Sequence, residues 1–401
     1  MERNDITGGT QASSGAPSQI QRESFDEFRG NEIEPFLRSG AVAILNAAWV
    51  VSLWRGGGRI RRRQELPPEA FLAVDELIAA TKHGAGLALL VISYAWLHPE
   101  NPDPNGAHLA LIGKVCHAFI ESRSGPLGGG SAYGVFWDFA SLYQHAPGAP
   151  RSAEHEALFR SALSGMSTFY THEFTVVLRL TRMPADYPHA YNLPEGANSA
   201  AYSERGWCFT ESCWASLTKS SRKALDLGLL RGDEPAEREA ILKVCTEVGG
   251  RPPPLLPDEF AAHVSRMSFT NGKDDRPLVI QLYREAFAKE CGRVVRLNYG
   301  FLGWGDAEAE QLARVMASGA LLQLQELNLS KNSIGEAGMQ ALAKAVASGR
   351  VPQLQEMDMD YNPGSADPVE AALSELYERH PATREARAGA QLAVDEHGSA
   401  S

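Results

Sequence analysis

The stretch Leu324-Gln325-Glu326-Leu327-Asn328-Leu329 returns 30 residues later as Leu354-Gln355-Glu356-Met357-Asp358-Met359. Asn332 returns at the same interval as Asn362. A fixed period of this length predicts a stacked array in which each unit buries its apolar face on the next. Because such arrays are usually binding surfaces, the last third of the chain is predicted to contain a recognition module.

The spacing within each unit is that of a known repeat. Leu324-x-x-Leu327-x-Leu329-x-x-Asn332 resembles the leucine-rich repeat, in which a strand precedes an inward-turned Asn that satisfies backbone groups of the turn. The period and the segment 333–338 are similar to the ribonuclease-inhibitor class of that repeat. The first unit departs from the pattern at Tyr299 and Leu302, so we expect a modified cap that packs on the preceding domain.

The strands of the array are predicted to carry an acidic ribbon. Alternation along a strand places every second side chain on the same face. The open face is therefore predicted to present Glu326, Asn328 and Ser330 from one unit, and Glu356, Asp358 and Asp360 from the next. Such a surface would bind a protein partner with a basic surface; a ribbon that only keeps the face hydrated is the alternative.

Composition sets the class of protein. The 401 residues are 44% apolar and carry a formal net charge of −11, which argues against general nucleic-acid binding. Five scattered cysteines indicate buried thiols in a reducing compartment, and their spacing predicts no metal site. No signal peptide or transmembrane segment is apparent, so a cytoplasmic protein is expected. The basic cluster from Arg55 to Arg63 reads either as a solvated loop or as a contact for anionic lipid or phosphate.

The middle of the chain predicts an α/β domain with a parallel sheet. Apolar runs at 87–94, 133–139 and 174–180 read as buried strands, and they alternate with helical segments at 108–121, 154–170 and 205–217. This order is typical of a parallel sheet with helices on both faces. Ligands of such sheets bind at the carboxyl ends of the strands, here Ser93-Tyr94, Asp138-Phe139 and the loop after Leu180.

The remaining segments complete the predicted organisation. The stretch Ala41 to Trp54 reads as a buried helix, a second helix is expected to start at Leu66-Pro67-Pro68-Glu69, and Asp258 is expected to cap a third. The predicted divisions are a disordered segment at 1–24, an α/β domain with N-terminal helices at 25–250, a Pro-rich linker with helices at 251–290, repeats at 291–365, and a capping helix with a disordered tail at 366–401.

Three pieces of the α/β region resemble a known family. They are Ile92-Ser93-Tyr94-Ala95-Trp96, the segment from Phe136 to Gln144, and Arg205-Gly206-Trp207-Cys208-Phe209-Thr210-Glu211. In this order they are similar to the Toll/interleukin-1 receptor (TIR) domain and its fungal relative, the heterokaryon-incompatibility (HET) domain. The resemblance implies a flavodoxin-like parallel sheet. The inserts at 99–106 and 187–201 depart from a minimal TIR domain.

The resemblance also implies a site. In catalytic TIR domains the Glu that matches Glu211 cleaves the nicotinamide–ribose bond of NAD, and a carboxylate can stabilise the oxocarbenium-like cation of that reaction. Asp138 is the second catalytic candidate, and the substrate-binding candidates are Ser93, Tyr94, Gln144 and Trp207. The structural alternatives are a core Trp stripe, a Glu211–Arg ion pair and an Asp138 that caps the next turn.

Two functions follow from these patterns, and a third hypothesis is that the α/β domain is an inert scaffold. The favoured one is an interaction or signalling protein, whose repeats bind a protein partner while the α/β domain self-associates, with no cofactor. The alternative is an NAD glycohydrolase of the TIR type that uses Glu211, with NAD as its substrate.

Overall fold

The computed structural model describes residues 32–82, 89–122, 133–146, 148–172, 175–246 and 251–380. The segments predicted to be disordered, 1–24 and the tail after residue 380, lie outside the described residues. The fold is mixed α/β with two sheets. The strands of the first sheet are β1 Leu45–Asn46, β2 Leu89–Tyr94, β3 Gly134–Phe136, β4 Thr175–Leu180 and β5 Ala224–Asp226, and those of the second are β6 Arg296–Asn298, β7 Glu326–Asn328 and β8 Glu356–Asp358.

The first sheet is mostly parallel, as predicted. Its strands lie in the order β1-β3-β2-β4-β5, and only β1 pairs in the antiparallel sense. The strands β1 and β5 were not predicted. The strand expected at 133–139 ends at Phe136, and Asp138 begins a short helix instead. Asp138 therefore lies just beyond the carboxyl end of β3.

Helices cover both faces of this sheet. Their bounds are α1 Glu34–Arg38, α2 Ala47–Arg55, α3 Val74–Lys82, α4 Ala107–Glu121, α5 Asp138–Ser141, α6 Ala153–Thr171, α7 Gly206–Ser216, α8 Arg238–Thr246, α9 Pro257–Val264, α10 Gly272–Arg293, α11 Asp306–Ala317, α12 Glu336–Ala347 and α13 Asp367–Arg379. Alternate residues of β2 enter different cores. Leu90 and Ile92 pack with α2, α4 and α8, whereas Leu89 and Val91 pack with α6, α7 and α10. Within the described residues, none of these helices has the length and apolar character that crossing a bilayer requires.

The N-terminal helices differ from the prediction. The helix expected over Ala41 to Trp54 begins only at Ala47, because the Asn46 side chain caps it by accepting a 2.9 Å hydrogen bond from the Ala48 amide. The residues before it are extended and add β1 to the sheet. The helix expected at 66–69 is a single 3-10 turn at Pro68–Ala70, and α3 begins at Val74.

The second sheet follows the 30-residue period. Leu297 pairs with Leu327, and Leu327 pairs with Met357, so equivalent residues of successive units lie side by side. Each strand is followed by a helix, α11, α12 or α13. The Asn332 side chain donates to the Tyr299 and Leu329 carbonyls at 2.9 and 2.8 Å, which places it in the inward role predicted for it.

The segment predicted as a linker is packed between the two sheets. Residues 251–256 are extended, and Arg251 is buried, with its Nη1 donating to the Ala215 carbonyl at 2.9 Å. The Trp304 indole donates to the Arg251 carbonyl at 2.8 Å. The helix expected to be capped by Asp258 instead begins at Pro257, and Glu259 accepts from the Leu256 amide. The expectation that the array packs on the preceding domain is confirmed, because one hydrophobic core runs through both sheets.

Candidate functional site

A cavity of about 970 Å³ opens at the carboxyl ends of β2 and β3. Asp138 and Glu211, which are 73 positions apart in the chain, both line it. Tyr94, Gln144 and Trp207, three of the residues predicted to bind substrate, also line it. Ser93 lies behind the wall, fully buried, and reaches the cavity through its hydrogen bond to Glu211. The carboxyl ends of parallel strands therefore bring the predicted residues together, as the sheet topology implies.

Glu211 is a buried carboxyl group on α7. Its Oε2 accepts a 2.6 Å hydrogen bond from the Ser93 hydroxyl, and the Tyr202 hydroxyl lies 2.6 Å from the same Ser93 oxygen. Burial raises the pKa of Glu211 to about 8; the Ser93 hydrogen bond opposes this shift and the charge of Asp138 adds to it. Burial therefore favours the protonated form of the Glu211 carboxyl group at neutral pH. The predicted ion pair with an Arg is replaced by contact with a neutral hydroxyl.

Asp138 is the second carboxyl group of the cavity. Its Oδ1 accepts from the Tyr94 hydroxyl at 2.6 Å and from the Phe139 amide at 2.6 Å, and its Oδ2 accepts from the Trp96 indole at 3.3 Å. Burial raises the pKa of Asp138, and these hydrogen bonds oppose the shift. The bond to Phe139 joins neighbouring residues and is not a helix cap, because Asp138 is the first residue of α5 and no side chain caps that helix. The capping role considered for Asp138 is therefore not observed, and its side chain faces the cavity.

Trp207 and Gln144 are held by partners that the sequence did not indicate. The Trp207 indole donates to Asp275 Oδ2 at 3.0 Å. The Gln144 amide donates to the carbonyls of Leu142 and Asp138 at 3.2 and 3.3 Å, so it supports the turn beside Asp138. Asp275, at the start of α10, also lines the cavity, and burial raises its pKa. Asp275 lies outside the three segments whose sequence resembles TIR and HET domains, so those motifs give no indication of it.

Three arginines line the same cavity, and each is anchored by the protein. Arg205 donates to the carbonyls of Trp96, Ala200 and Asn198 and to the Tyr187 hydroxyl. Arg151 pairs with Glu156 at 3.0 Å, and Arg62 with Glu65 at 3.2 Å. The cavity thus combines fixed positive charge with acidic groups. In the part of the chain that the structure describes, no group of three or more His, Cys, Asp or Glu side chains is placed to hold a metal ion.

Part of the predicted basic cluster has a structural role. Arg63 lies over the Tyr143 ring at 4.1 Å and donates to the carbonyls of Ala41 and Ser141. Arg62 faces the cavity, whereas Arg55, Arg59 and Arg61 are exposed. The five cysteines are buried free thiols, as predicted.

The ribbon of the repeats differs in part from the prediction. Glu326 pairs with Arg296 at 2.8 Å, and the Asn328 amide donates to Asp358 at 2.8 Å. Glu356 and Asp360 are exposed as expected, but Ser330 is only 8% exposed because it turns inward beside Asn328. Beside the ribbon stands a column of residues at the repeat interval: Phe301, Lys331 and Tyr361. The two rings are 56% and 77% exposed, and the Lys331 ammonium lies over both, at 4.6 and 5.2 Å.

Comparison with family models, with curated proteins and with solved structures finds no match to this chain.

Proposed function

We propose that the cavity binds a dinucleotide of the NAD type and that Glu211 assists cleavage of its nicotinamide–ribose bond. The observation that carries this proposal is the presence of Asp138 and Glu211, from distant parts of the sequence, in one cavity. The order of the four parallel strands, β3-β2-β4-β5, matches the first four positions of the flavodoxin order and so supports the fold that the TIR/HET resemblance implies. A volume of about 970 Å³ lies at the upper end of the range for ligand pockets and suits a dinucleotide.

The reaction needs one carboxylate near the ribose. The bond between the pyridinium nitrogen and ribose C1′ breaks, its electron pair passes to the nitrogen, and neutral nicotinamide leaves. Positive charge then develops on the ribose ring, where the ionised Glu211 would stabilise it. Water adds to C1′ and gives its proton to that carboxylate or to solvent, which leaves ADP-ribose.

The charges of the cavity support this orientation. The carboxyl groups of Glu211 and Asp138 favour the cationic pyridinium end of the substrate. The anchored guanidinium groups of Arg62, Arg151 and Arg205 favour its diphosphate. A pyridinium cation near Glu211 would also lower the pKa of that group and so produce the ionised form that the reaction requires.

The test is to incubate the full chain with NAD and to measure the free nicotinamide that is released by chromatography. Glu211→Gln keeps the size of the side chain and removes its charge, so it should lower the rate at least about a hundredfold. Glu310→Gln, an exposed position on α11, is the matched control and should retain the full rate. If Glu211→Gln keeps the wild-type rate, Glu211 has no role in the reaction. If wild-type protein at high concentration releases no nicotinamide, the proposed enzymatic activity is rejected.

A second function, binding of a protein partner by leucine-rich repeats, is favoured by the exposed column on the second sheet. Phe301 and Tyr361 expose large rings beside the acidic Glu356, Asp358 and Asp360. Exposed aromatic side chains are typical anchors of protein interfaces, and the acidic neighbours favour a basic partner. We therefore propose that this chain also acts as an interaction or signalling protein. The buried free thiols fit the cytoplasm, where such a protein would work.

Self-association of the α/β domain is part of this second proposal. Light scattering coupled to chromatography measures it directly, over a range of protein concentrations. A mass of 43.5 kDa at every concentration would exclude it. For partner binding, a charge reversal of the three acidic residues named above should abolish capture of a basic peptide, while a Glu310→Lys control should not.

A further inference from the structure

One wall of the cavity comes from outside the sheet region. It consists of Ser268, Phe269, Thr270 and Asp275, which we call the 268–275 wall. Backbone hydrogen bonds fix it to the start of α7: the Gly206 amide donates to the Ser268 carbonyl at 2.9 Å, and the Ser268 amide donates to the Glu204 carbonyl at 2.8 Å. The Phe269 ring comes within 1.8 Å of the position that a Cβ on Gly206 would occupy. The 268–275 wall therefore has a fixed position relative to α7, the helix that carries Glu211.

Asp275 is the polar end of this wall. Its carboxylate accepts the Trp207 indole N–H at 3.0 Å, and Trp207 lies one helical turn before Glu211 on α7. Asp138 accepts the Trp96 indole N–H in the same way, at 3.3 Å. Two cavity tryptophans thus each have a carboxylate at the edge of the ring. Because the face of an indole is already electron-rich, a negative charge on its N–H edge increases the attraction of that face for a cation.

The positive groups near the cavity have partners other than Trp207. Arg205 donates to three carbonyls and the Tyr187 hydroxyl, and the other two lining arginines pair with Glu65 and Glu156. Arg276, beside Asp275, donates to the Met267 carbonyl and lies over the Phe269 ring at 5.4 Å. These contacts fix the guanidinium groups but leave their charge, so the anionic part of a ligand would lie toward the lining arginines and a flat cationic ring toward Trp207 and Asp275.

We propose that Trp207 and Asp275 form a recognition site for a planar organic cation, in which Asp275 positions the Trp207 ring and supplies the negative charge. The identification of this cation with the pyridinium ring of the substrate rests on the proposed function; the binding site itself does not. Asp275 is thus a specificity-determining residue contributed by the helix that leads into the repeats, not by the TIR/HET-like segments.

The experiment compares two small ligands of nearly the same shape, the 1-methylnicotinamide cation and neutral nicotinamide. Ligand-observed NMR titrations with the full chain give the dissociation constant of each. Wild-type protein should bind the cation about tenfold more tightly, the factor that 1.4 kcal/mol produces. Asp275→Asn keeps an oxygen that can accept the indole N–H but removes the charge, so it should bring the ratio close to one without weakening the binding of nicotinamide.

Asp274→Asn is the matched control, because Asp274 is the exposed neighbour of Asp275 and contacts Asn271 instead of the cavity. It should leave the ratio unchanged. Trp207→Phe removes the N–H donor and part of the ring face, and should weaken binding of the cation more than binding of the neutral ligand. Equal binding of the two ligands by wild-type protein, no binding of either, or equal effects of the Asp274 and Asp275 changes would overturn the inference. Selective cation binding without nicotinamide release from NAD would uphold it and reject the proposed function alone.

Discussion

Replacing Glu211 with Gln should stabilise the folded protein, and the gain should depend on pH. The folded-state pKa of about 8 lies above the ordinary value of 4.5, because burial disfavours the carboxylate. The unfolded chain therefore loses its proton first as pH rises, and the free energy of unfolding falls between pH 4.5 and pH 8. The stability that Glu211 contributes is present in full below pH 4.5 and is lost by pH 8.

The size of the effect follows from the pKa difference. Each pH unit in this window costs about 1.4 kcal/mol, so ionisation of the unfolded chain costs about 2 kcal/mol at pH 6 and about 4 kcal/mol at pH 8. Gln cannot ionise and escapes this cost. Its amide N–H groups need acceptors next to Ser93, and one unsatisfied donor would cost about 1 kcal/mol. The Gln variant should therefore be more stable by about 1 kcal/mol at pH 6 and by about 3 kcal/mol at pH 8.

Calorimetric unfolding of wild type, Glu211→Gln and Glu310→Gln at pH 6 and pH 8 measures this difference. The exposed Glu310 should show a change within about 0.5 kcal/mol at both pH values. The decisive quantity is the growth of the Gln advantage, about 2 kcal/mol, between the two pH values. An advantage that is constant with pH, or a variant less stable than wild type at pH 8, would refute the argument that Glu211 is held protonated by burial.

Three further outcomes are expected. The kcat/KM of nicotinamide release should rise with pH and level off above an apparent pKa of about 8, because free enzyme must lose the Glu211 proton; a profile flat from pH 6 to 9 would contradict this. Gly206→Ala should destabilise the chain by about 1–3 kcal/mol in urea unfolding, since Phe269 occupies the space of the new Cβ, whereas Gly292→Ala, with open space around it, should stabilise its helix by about 0.5–1 kcal/mol. Asn332→Ala should cost about 3 kcal/mol in the same assay, because it leaves the buried amides of Leu302 and Trp304 without their acceptor.

Much of the sheet could be predicted because its central strands are continuous apolar runs. Strand β2 is buried along its length and β4 at every residue except the partly buried Val176, and the helices between them have apolar periodicity. The meeting of Asp138 and Glu211 followed from topology, since parallel strands end at one edge. The strands β1 and β5, with two and three residues, are too short to show any period. The sequence predicts Asp138 within a strand, because the aromatic residues on both sides of it hide the end of β3.

The residues that were missed make contacts across long stretches of sequence. Asp275 meets Trp207 over 68 positions, and the contact depends on how α10 packs against α7. No sequence motif at either residue predicts the contact between them. The inward turn of Ser330 is also set by a neighbour, since Asn328 Oδ1 accepts from both its amide and its hydroxyl. Side chains alternate between the two faces only within a strand. Ser330 lies just beyond the end of β7, so alternation does not predict its direction.

The helix α10 connects the two sites for which functions are proposed. Its first turn contributes Asp275 to the cavity, and its last residue, Arg293, is three positions before β6, the first strand of the repeats. A 22-residue helix is about 33 Å long, so one rigid element spans from the cavity to the array. The Tyr299 hydroxyl and the Arg251 guanidinium, which donate to carbonyls at and beyond the end of α7, hold the array against the helix that carries Glu211. The repeats therefore support the cavity from behind as well as presenting a surface, because removing them would expose the face of α7 that packs in the shared core.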